Sequence, residues 1–365
     1  MNFLREFKTL SQYETAKGSF EYPTVSLVDE NGLVYFMTDP SLGIEPALAS
    51  AADVCLYDAK LNKKIIVKGD NLNNYSDLSR YTPIGVVVVP GSHNVYGDGT
   101  CGVMSINPMN YNTPISGGSS EQNIYWGQYG TDTGLPNLNK VNQCGVVSAQ
   151  TDSVTTTSQA YLPSNKVSGG SFSEADTANT CVHDTDTHYC NSGSTVCIPS
   201  PYLSDDSRNP MYYTTSASTA NCLSDFDGVD NTNTLVSLHT IDDLSTATTV
   251  TNDTGSTAAP AAACCHLYKT EGTEQGDWYL PAMGELGYIM PKWNEIQGAI
   301  SNINTVYGSN VVAVSLNNIY SYWSSSECSS KFARSLGPGT GDVCSDNKRT
   351  TQYSLYYYVR AFLRV

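Results

Sequence analysis

Apolar and polar positions in the first hundred residues come in short runs of strand type, apart from a brief helical pattern over residues 7–17. Thr24–Asp29 and Leu33–Met37 flank Asn31-Gly32 and read as two strands around a tight turn. Asp53–Asp58 and Lys64–Lys68 flank Lys60–Lys63 as a second pair. Gly69–Arg80, rich in Asn, Asp and Ser, reads as a linker, which bounds a small N-terminal β-rich domain at residues 1–80. The run Thr82–Pro90 then opens residues 81–365 with a strand apolar enough to be buried on both faces. A helical period returns at Pro281–Met290. Pro281 suits the first helical position, Glu285 the positive end, and Leu286, Ile289 and Met290 an apolar face. Pro291 opens a second helix through Trp293, Ile296, Ile300 and Ile303. Val311–Ser315 and Tyr322–Trp323 return to strand, and Tyr356–Leu363 closes the chain as a strand expected to pair with 82–90. The fold class is α+β.

Three stretches keep no period. Residues 112–222, poor in charge and dominated by Ser, Thr, Asn and Gly, read as a long insertion of loops and short strands. Residues 244–262 read as a loop, and Cys328–Arg349, which mixes turn formers, charges and single apolar residues, reads as an exposed loop.

Charge sharpens this outline. The formal net charge is −16, yet residues 328–365 carry six Lys and Arg against two Asp and Glu. An acidic body argues against non-specific nucleic-acid binding; the basic tail either steers an anionic partner or merely solvates loops. No apolar stretch is long enough to span a membrane, and Glu6 interrupts the place of a signal peptide's apolar run. The expectation is synthesis in a cytoplasm, no membrane insertion, and mostly reduced thiols among the eleven cysteines.

Candidate chemistry is sparse. Gly97-Asp-Gly99-Thr-Cys-Gly102 spells a dinucleotide fingerprint, but Asn107-Pro108 follows where a helix is required, so it reads as a glycine turn. Cys181, His183, His188 and Cys190 are either a zinc set of unusual spacing or loop cysteines. Asp225, Asp227, Gly228, Asp230 and Asn233 are either a calcium loop lacking its twelfth-position Glu or a turn whose Asx side chains cap the next element. There is no Gly-x-Ser-x-Gly elbow, and the histidines have no recognisable catalytic partners. The expectation is a protein that is not an enzyme, with no metal and no cofactor.

Three segments together carry a family resemblance: Phe226-Asp-Gly-Val-Asp-Asn231-Thr232, Trp278-Tyr-Leu-Pro-Ala-Met-Gly-Glu-Leu286, and Tyr322-Trp-Ser-Ser-Ser-Glu327 followed by Val359-Arg360. They resemble the C-type-lectin-fold domains of formylglycine-generating-type proteins and of the variable proteins of phage and bacterial diversity-generating retroelements. The resemblance covers residues 81–365 and implies a C-type-lectin-like ligand-binding domain. In the variable-protein branch it implies that a segment of about 328–357 is rewritten at template adenines. Asn codons so rewritten do not yield Lys, Gln, Glu, Trp or Met, and from Cys328 to Tyr358 only Lys331, Lys348 and Gln352 belong to that set. The chain lacks the Glu-Pro-Asn, Gln-Pro-Asp and Trp-Asn-Asp tripeptides of calcium-dependent sugar binding, and the closely spaced catalytic cysteines of the formylglycine-generating enzymes.

The function so implied is that of a phage structural protein, a tail or head fibre or appendage, made in the host cytoplasm and resident in the virion. Its variable surface would bind a host cell-surface protein or glycan. The implied contacts are Ser330, Lys331, Phe332, Arg334, Leu336, Asp342, Val343, Ser345, Asp346, Lys348, Arg349, Tyr353, Tyr356 and Tyr357. Phe332 serves as apolar anchor, the cations supply charge, and the tyrosines supply amphipathic surface. Tyr322 and Trp323 hold the platform, residues 1–80 attach to other virion proteins, and a homotrimer is implied. The rivals are a virion decoration or assembly protein without receptor binding and a formylglycine-generating-type enzyme.

Overall fold

A computed structural model describes residues 43–130, 133–135, 225–238, 249–251, 259–289, 292–327, 330–337, 342–348 and 356–365, with the backbone of further strands at 4–7, 24–28, 34–38, 140–142, 146–150, 155–159, 188–190 and 197–199. Near the N-terminus, β1 (Leu4–Phe7), β2 (Thr24–Val28) and β3 (Val34–Thr38) form an antiparallel sheet in the order β1-β3-β2. The expected pairing of the 24–29 and 33–37 runs is present, with Val28 opposite Val34. The expected helix at 7–17 falls on residues outside those described, except for Phe7, which ends β1.

Next come β4 (Val54–Asp58), β5 (Lys63–Val67), β6 (Tyr81–Val89) and β7 (Gly102–Ser105). Within the long insertion lie β8 (Lys140–Asn142), β9 (Val146–Gln150) and β10 (Thr155–Gln159), which form one small sheet, and β11 (His188–Cys190) and β12 (Cys197–Pro199), which form another. The chain continues through α1 (Gly228–Leu238), α2 (Pro260–Leu267), β13 (Trp278–Tyr279), α3 (Met283–Gly287) and α4 (Trp293–Tyr307). It ends with β14 (Ser321–Glu327), β15 (Phe332–Gly337), β16 (Asp342–Asn347), β17 (Tyr357–Tyr358) and β18 (Phe362–Arg364).

The central sheet has six strands in the order β13-β18-β7-β6-β4-β5. Alternation along its strands loads two cores, one on each face. Val54, Leu56, Ile65, Val67, Val86, Met104, Tyr279 and Phe362 point to one core, which Ile296, Ile300 and Ile303 of α4 complete. Cys55, Ile66, Val87, Val103, Trp278 and Leu363 point to the other, covered by the wholly apolar stretch Ala261–Cys265 of α2. As its composition predicts, β6 is buried on both faces.

Several expectations need correction. The sheet runs across the boundary expected near residue 80, because β4 bonds to β6 as well as to β5. Residues 69–75 are a 3-10 helix rather than a linker. Leu72 and Tyr75 are three apart, a spacing that a 3-10 helix eclipses onto one side, and both are buried there. The closing strand β18 pairs with β7 and β13 and lies one strand away from β6. The loop expected at 244–262 gives way at Pro260 to α2, whose Ala and Cys side chains leave no polar stripe from which helical period could be read. Residues 311–315 join no sheet; on α4, Asn304 holds Ala313 through both its N–H and its carbonyl, and Gln297 holds Leu316 just beyond. Gly97 and Gly99 take φ of +77° and +76° and no helix follows, so the glycine motif is a turn, as read. Among the described residues, no helix is long and apolar enough to cross a membrane.

Candidate functional site

The four-stranded sheet β16-β15-β14-β17 carries the C-terminal segment singled out in the sequence. Its anchor is β14, where Ser324, Ser325 and Ser326 are all buried. Each buried hydroxyl has a partner, as burial demands. Ser324 Oγ donates to the Arg334 carbonyl (2.9 Å), Ser325 Oγ accepts from Asn231 Nδ2 (3.2 Å), and Ser326 Oγ donates to Asp225 Oδ2 (2.5 Å) and accepts from the Met283 N–H (2.9 Å). Thr232 Oγ1 meets both the N–H and the carbonyl of Leu280. The three segments of the resemblance therefore meet in one buried polar cluster at the N-termini of α1 and α3.

At that junction Asp225 Oδ1 also accepts the Asp227 N–H, the Asx turn allowed for in the sequence, and α1 follows directly. Burial pushes the Asp225 carboxyl above its ordinary range, against the hydrogen bonds that lower it. Pro281 lies just ahead of α3 and offers its carbonyl to the Ser325 N–H (2.7 Å), so it does not occupy the first helical position. Glu285 does lie in the first turn, where Oε2 accepts the Ala282 N–H (2.7 Å). Its Oε1 accepts from Tyr279 (2.8 Å) and Tyr96 (2.9 Å), and burial pushes the carboxyl up to about 8.

Residues 332–337 and 342–347, expected as exposed loop, are the hairpin β15–β16. Phe332 faces Asn347, Arg334 faces Ser345, Leu336 faces Val343 and Gly337 faces Asp342. Because β15 lies between β14 and β16, its positions from Ala333 to Gly337 are buried. Four expected contact residues are thereby withdrawn from the surface: Arg334, Leu336, Lys348 and Tyr357 are each at most 2% exposed. Tyr357 stacks on Trp323 with centroids 4.3 Å apart. Ser330, Lys331, Phe332 and Asp346 are half-buried and Tyr356 is exposed. Asp342, Val343 and Ser345 are placed by the register of β16 alone. Arg349 and Tyr353 lie outside the described residues.

Three of the tail's six cations, Arg334, Lys348 and Arg360, are buried and so add nothing to the basic patch considered in the sequence. Lys348 forms a fully buried ion pair with Glu327, which also takes the Thr133 hydroxyl, and its ammonium lies 4.8 Å from the centroid of Trp126. Arg360, also buried, donates to Glu121 Oε1 (2.6 Å) and to the carbonyls of Ile106 (3.0 Å) and Val314 (2.8 Å). These cations neutralise buried carboxylates and satisfy backbone that the fold leaves open. The insertion supplies the edge of this sheet: the Ile124 N–H bonds the Tyr357 carbonyl, Trp126 Nε1 the Ser324 carbonyl, and Trp323 Nε1 the Ile124 carbonyl. Glu121, Ile124 and Trp126 were missed in the sequence. Trp126, an isolated large aromatic in a polar stretch, was the one signal available.

Among the described residues no three His, Cys, Asp or Glu are grouped to hold a metal. The Cys181–Cys190 set lies outside them but for the backbone of β11. Cys55, Cys101, Cys264 and Cys265 are buried free thiols, and burial raises the pKa of each, Cys101 to about 12. Comparison with protein-family models, curated proteins and solved structures found no match.

Proposed function

We propose that this chain is a phage structural protein, a tail or head fibre or appendage, whose C-terminal part presents a surface for a host cell-surface ligand. The supporting observation is the contrast within the β14–β16 region. Its strands are tied by buried hydrogen bonds to α1, α3 and the insertion, while Ser330, Lys331, Phe332, Asp346 and Asn347 reach solvent together at the hairpin's open end. Exposed Tyr129 and Gly130 adjoin them, since the Gly130 N–H bonds the Ser330 carbonyl. A surface already ordered by its support loses little entropy on binding. The reading includes the C-type-lectin-like fold, diversification within 328–357, attachment to other virion proteins through the N-terminal region, residence in the virion, and trimeric avidity. Buried thiols of raised pKa at Cys55, Cys101, Cys264 and Cys265 favour binding over chemistry at these four positions.

The test is host-cell binding by the full chain and by Lys331→Ala/Phe332→Ala. The expected result is at least tenfold weaker binding with an unchanged unfolding midpoint. Intact binding would leave the decoration or assembly reading in its place. In the genome, a reverse-transcriptase gene beside a near-copy of the coding segment for 322–365, differing at adenines, is expected.

A further inference from the structure

The insertion crosses the open end of the β15–β16 hairpin as a strap. Trp126 Nε1 donates to the Ser324 carbonyl on β14 (2.7 Å), the Gly127 N–H to the Lys348 carbonyl just beyond β16 (3.4 Å), and the Gly130 N–H to the Ser330 carbonyl just ahead of β15 (3.0 Å). The Thr133 hydroxyl then reaches the carboxylate of Glu327, the last residue of β14, whose other oxygen takes the Lys348 ammonium. One stretch of chain thus bonds to both arms of the hairpin. The arms also bond to each other at this end, through the Lys348 N–H and the Lys331 carbonyl (3.1 Å). Trp126 and Leu135, 1% and 9% exposed, fasten the strap in one core on either side of Tyr129 and Gly130, which are exposed. Gly130 takes φ of +85°, a turn that suits glycine. Tyr129, at 42%, is one of two exposed tyrosines among the described residues. Its neighbours Gly127 and Gly130 bond one to each arm, so its backbone stands between Ser330 and Lys331 on one side and Asn347 and Lys348 on the other.

We propose that Tyr129 is a fixed contact residue of the ligand-binding face, and that Trp126 and Thr133 are its positioning residues. The inference rests on the receptor-binding reading and adds to that face a residue outside the 328–357 segment. Covering the sheet edge does not account for Tyr129, because Ile124, Trp126 and Gly127, all buried, supply that cover. A tyrosine at the rim offers a large ring and a hydroxyl at the cost of fixing two side-chain torsions. Its backbone is already held on both sides, so little further ordering is needed on contact. A hairpin whose exposed positions are rewritten changes its own contacts from one variant to the next. An aromatic residue supplied from outside the rewritten segment keeps its share of the contact area in every variant, and tyrosine is among the residues most often carrying binding energy. The buried Thr133–Glu327–Lys348 chain of hydrogen bonds sets where the strap lies against the hairpin, and so where Tyr129 stands relative to Lys331 and Phe332.

The experiment measures binding of the full chain to intact host cells, the unfolding midpoint and backbone amide exchange. The variants are Tyr129→Ala, Tyr129→Phe, Thr133→Val and Thr133→Ser. Tyr129→Ala is expected to weaken binding at least about tenfold at an unchanged midpoint, and Tyr129→Phe, which keeps the ring, to retain most of it. Thr133→Val removes the hydroxyl from Glu327; it is expected to weaken binding by the fully folded chain and to speed exchange of the Gly127 and Gly130 amides, with Thr133→Ser restoring both. Parent-like binding by Tyr129→Ala would overturn the contact and leave the receptor reading standing. A Thr133→Val chain with a lowered midpoint but parent affinity while folded would overturn the positioning role, since a merely structural bond acts in that way. If the parent binds no host cell, the receptor reading fails and the contact falls with it; exchange at Gly127 and Gly130 still decides whether Thr133 holds the strap.

Discussion

Replacing Lys348 by Met tests whether the C-terminal hairpin is built on a buried ion pair. Both side chains of the Lys348–Glu327 pair are 0% exposed, so the substitution keeps an apolar stem of similar length and takes the Lys348 ammonium away from the Glu327 carboxylate. Breaking a buried pair from one side costs about 3–5 kcal/mol, and losing the ammonium over Trp126, 4.8 Å from the ring centroid, adds roughly 0.5–2 kcal/mol. Removing both charges, as Glu327→Gln/Lys348→Met, leaves no uncompensated ion and is expected to return stability to within about 1–2 kcal/mol of the parent. The cycle of the two single variants and the double should give a coupling of at least ~2 kcal/mol in urea unfolding, followed by the fluorescence of the neighbouring Trp126. The coupling should persist at high salt, because a pair out of solvent is little screened. A single-variant cost under about 1 kcal/mol, with additive behaviour of the double, would refute the buried pair and return Lys348 to the surface. The consequence reaches function: if the pair holds, position 348 cannot vary as freely as a surface contact, whatever happens to its neighbours.

Glu285 should make stability fall as pH rises. Its carboxyl is pushed up to about 8 in the folded chain by burial, against about 4.3 when unfolded, so between those values the folded state keeps a proton that the unfolded state has released. The contribution is present in full below about pH 4.3 and is lost as pH climbs to 8, at up to about 1.4 kcal/mol per unit; Glu285→Gln should flatten that part of the stability profile. Two glycines should respond oppositely to alanine. At Gly298, exposed on α4, an added Cβ meets nothing within 4 Å, and Gly298→Ala should stabilise by about 0.8–1 kcal/mol. At Gly228 the Cβ would stand 2.2 Å from Glu285 Oε2 and 2.8 Å from the Ala282 nitrogen, so Gly228→Ala should lower the unfolding midpoint, by roughly 1–3 kcal/mol in stability.

What the sequence determined by itself was local. Alternation and apolar runs identified the β2–β3 and β4–β5 pairs and the doubly buried β6, and the 3.6 period identified α4, because these patterns record which side of an element meets the core. The three motif segments were visible as letters, and Trp323 was read as a strand residue, as it is. Elements without contrast between faces were illegible: α2 is apolar all round, and β15 and β16 mix charges with small residues. Only the tertiary structure decided that Arg334, Lys348 and Arg360 are interior, since a cation in a glycine-rich run looks solvated until its distant neighbours are known. Lys348 finds its counter-ion Glu327 21 residues away, and Arg360 finds Glu121 239 residues away. Such pairings across the chain form only when packing brings the two groups together and removes water from both, a free-energy balance that no local pattern of residues records.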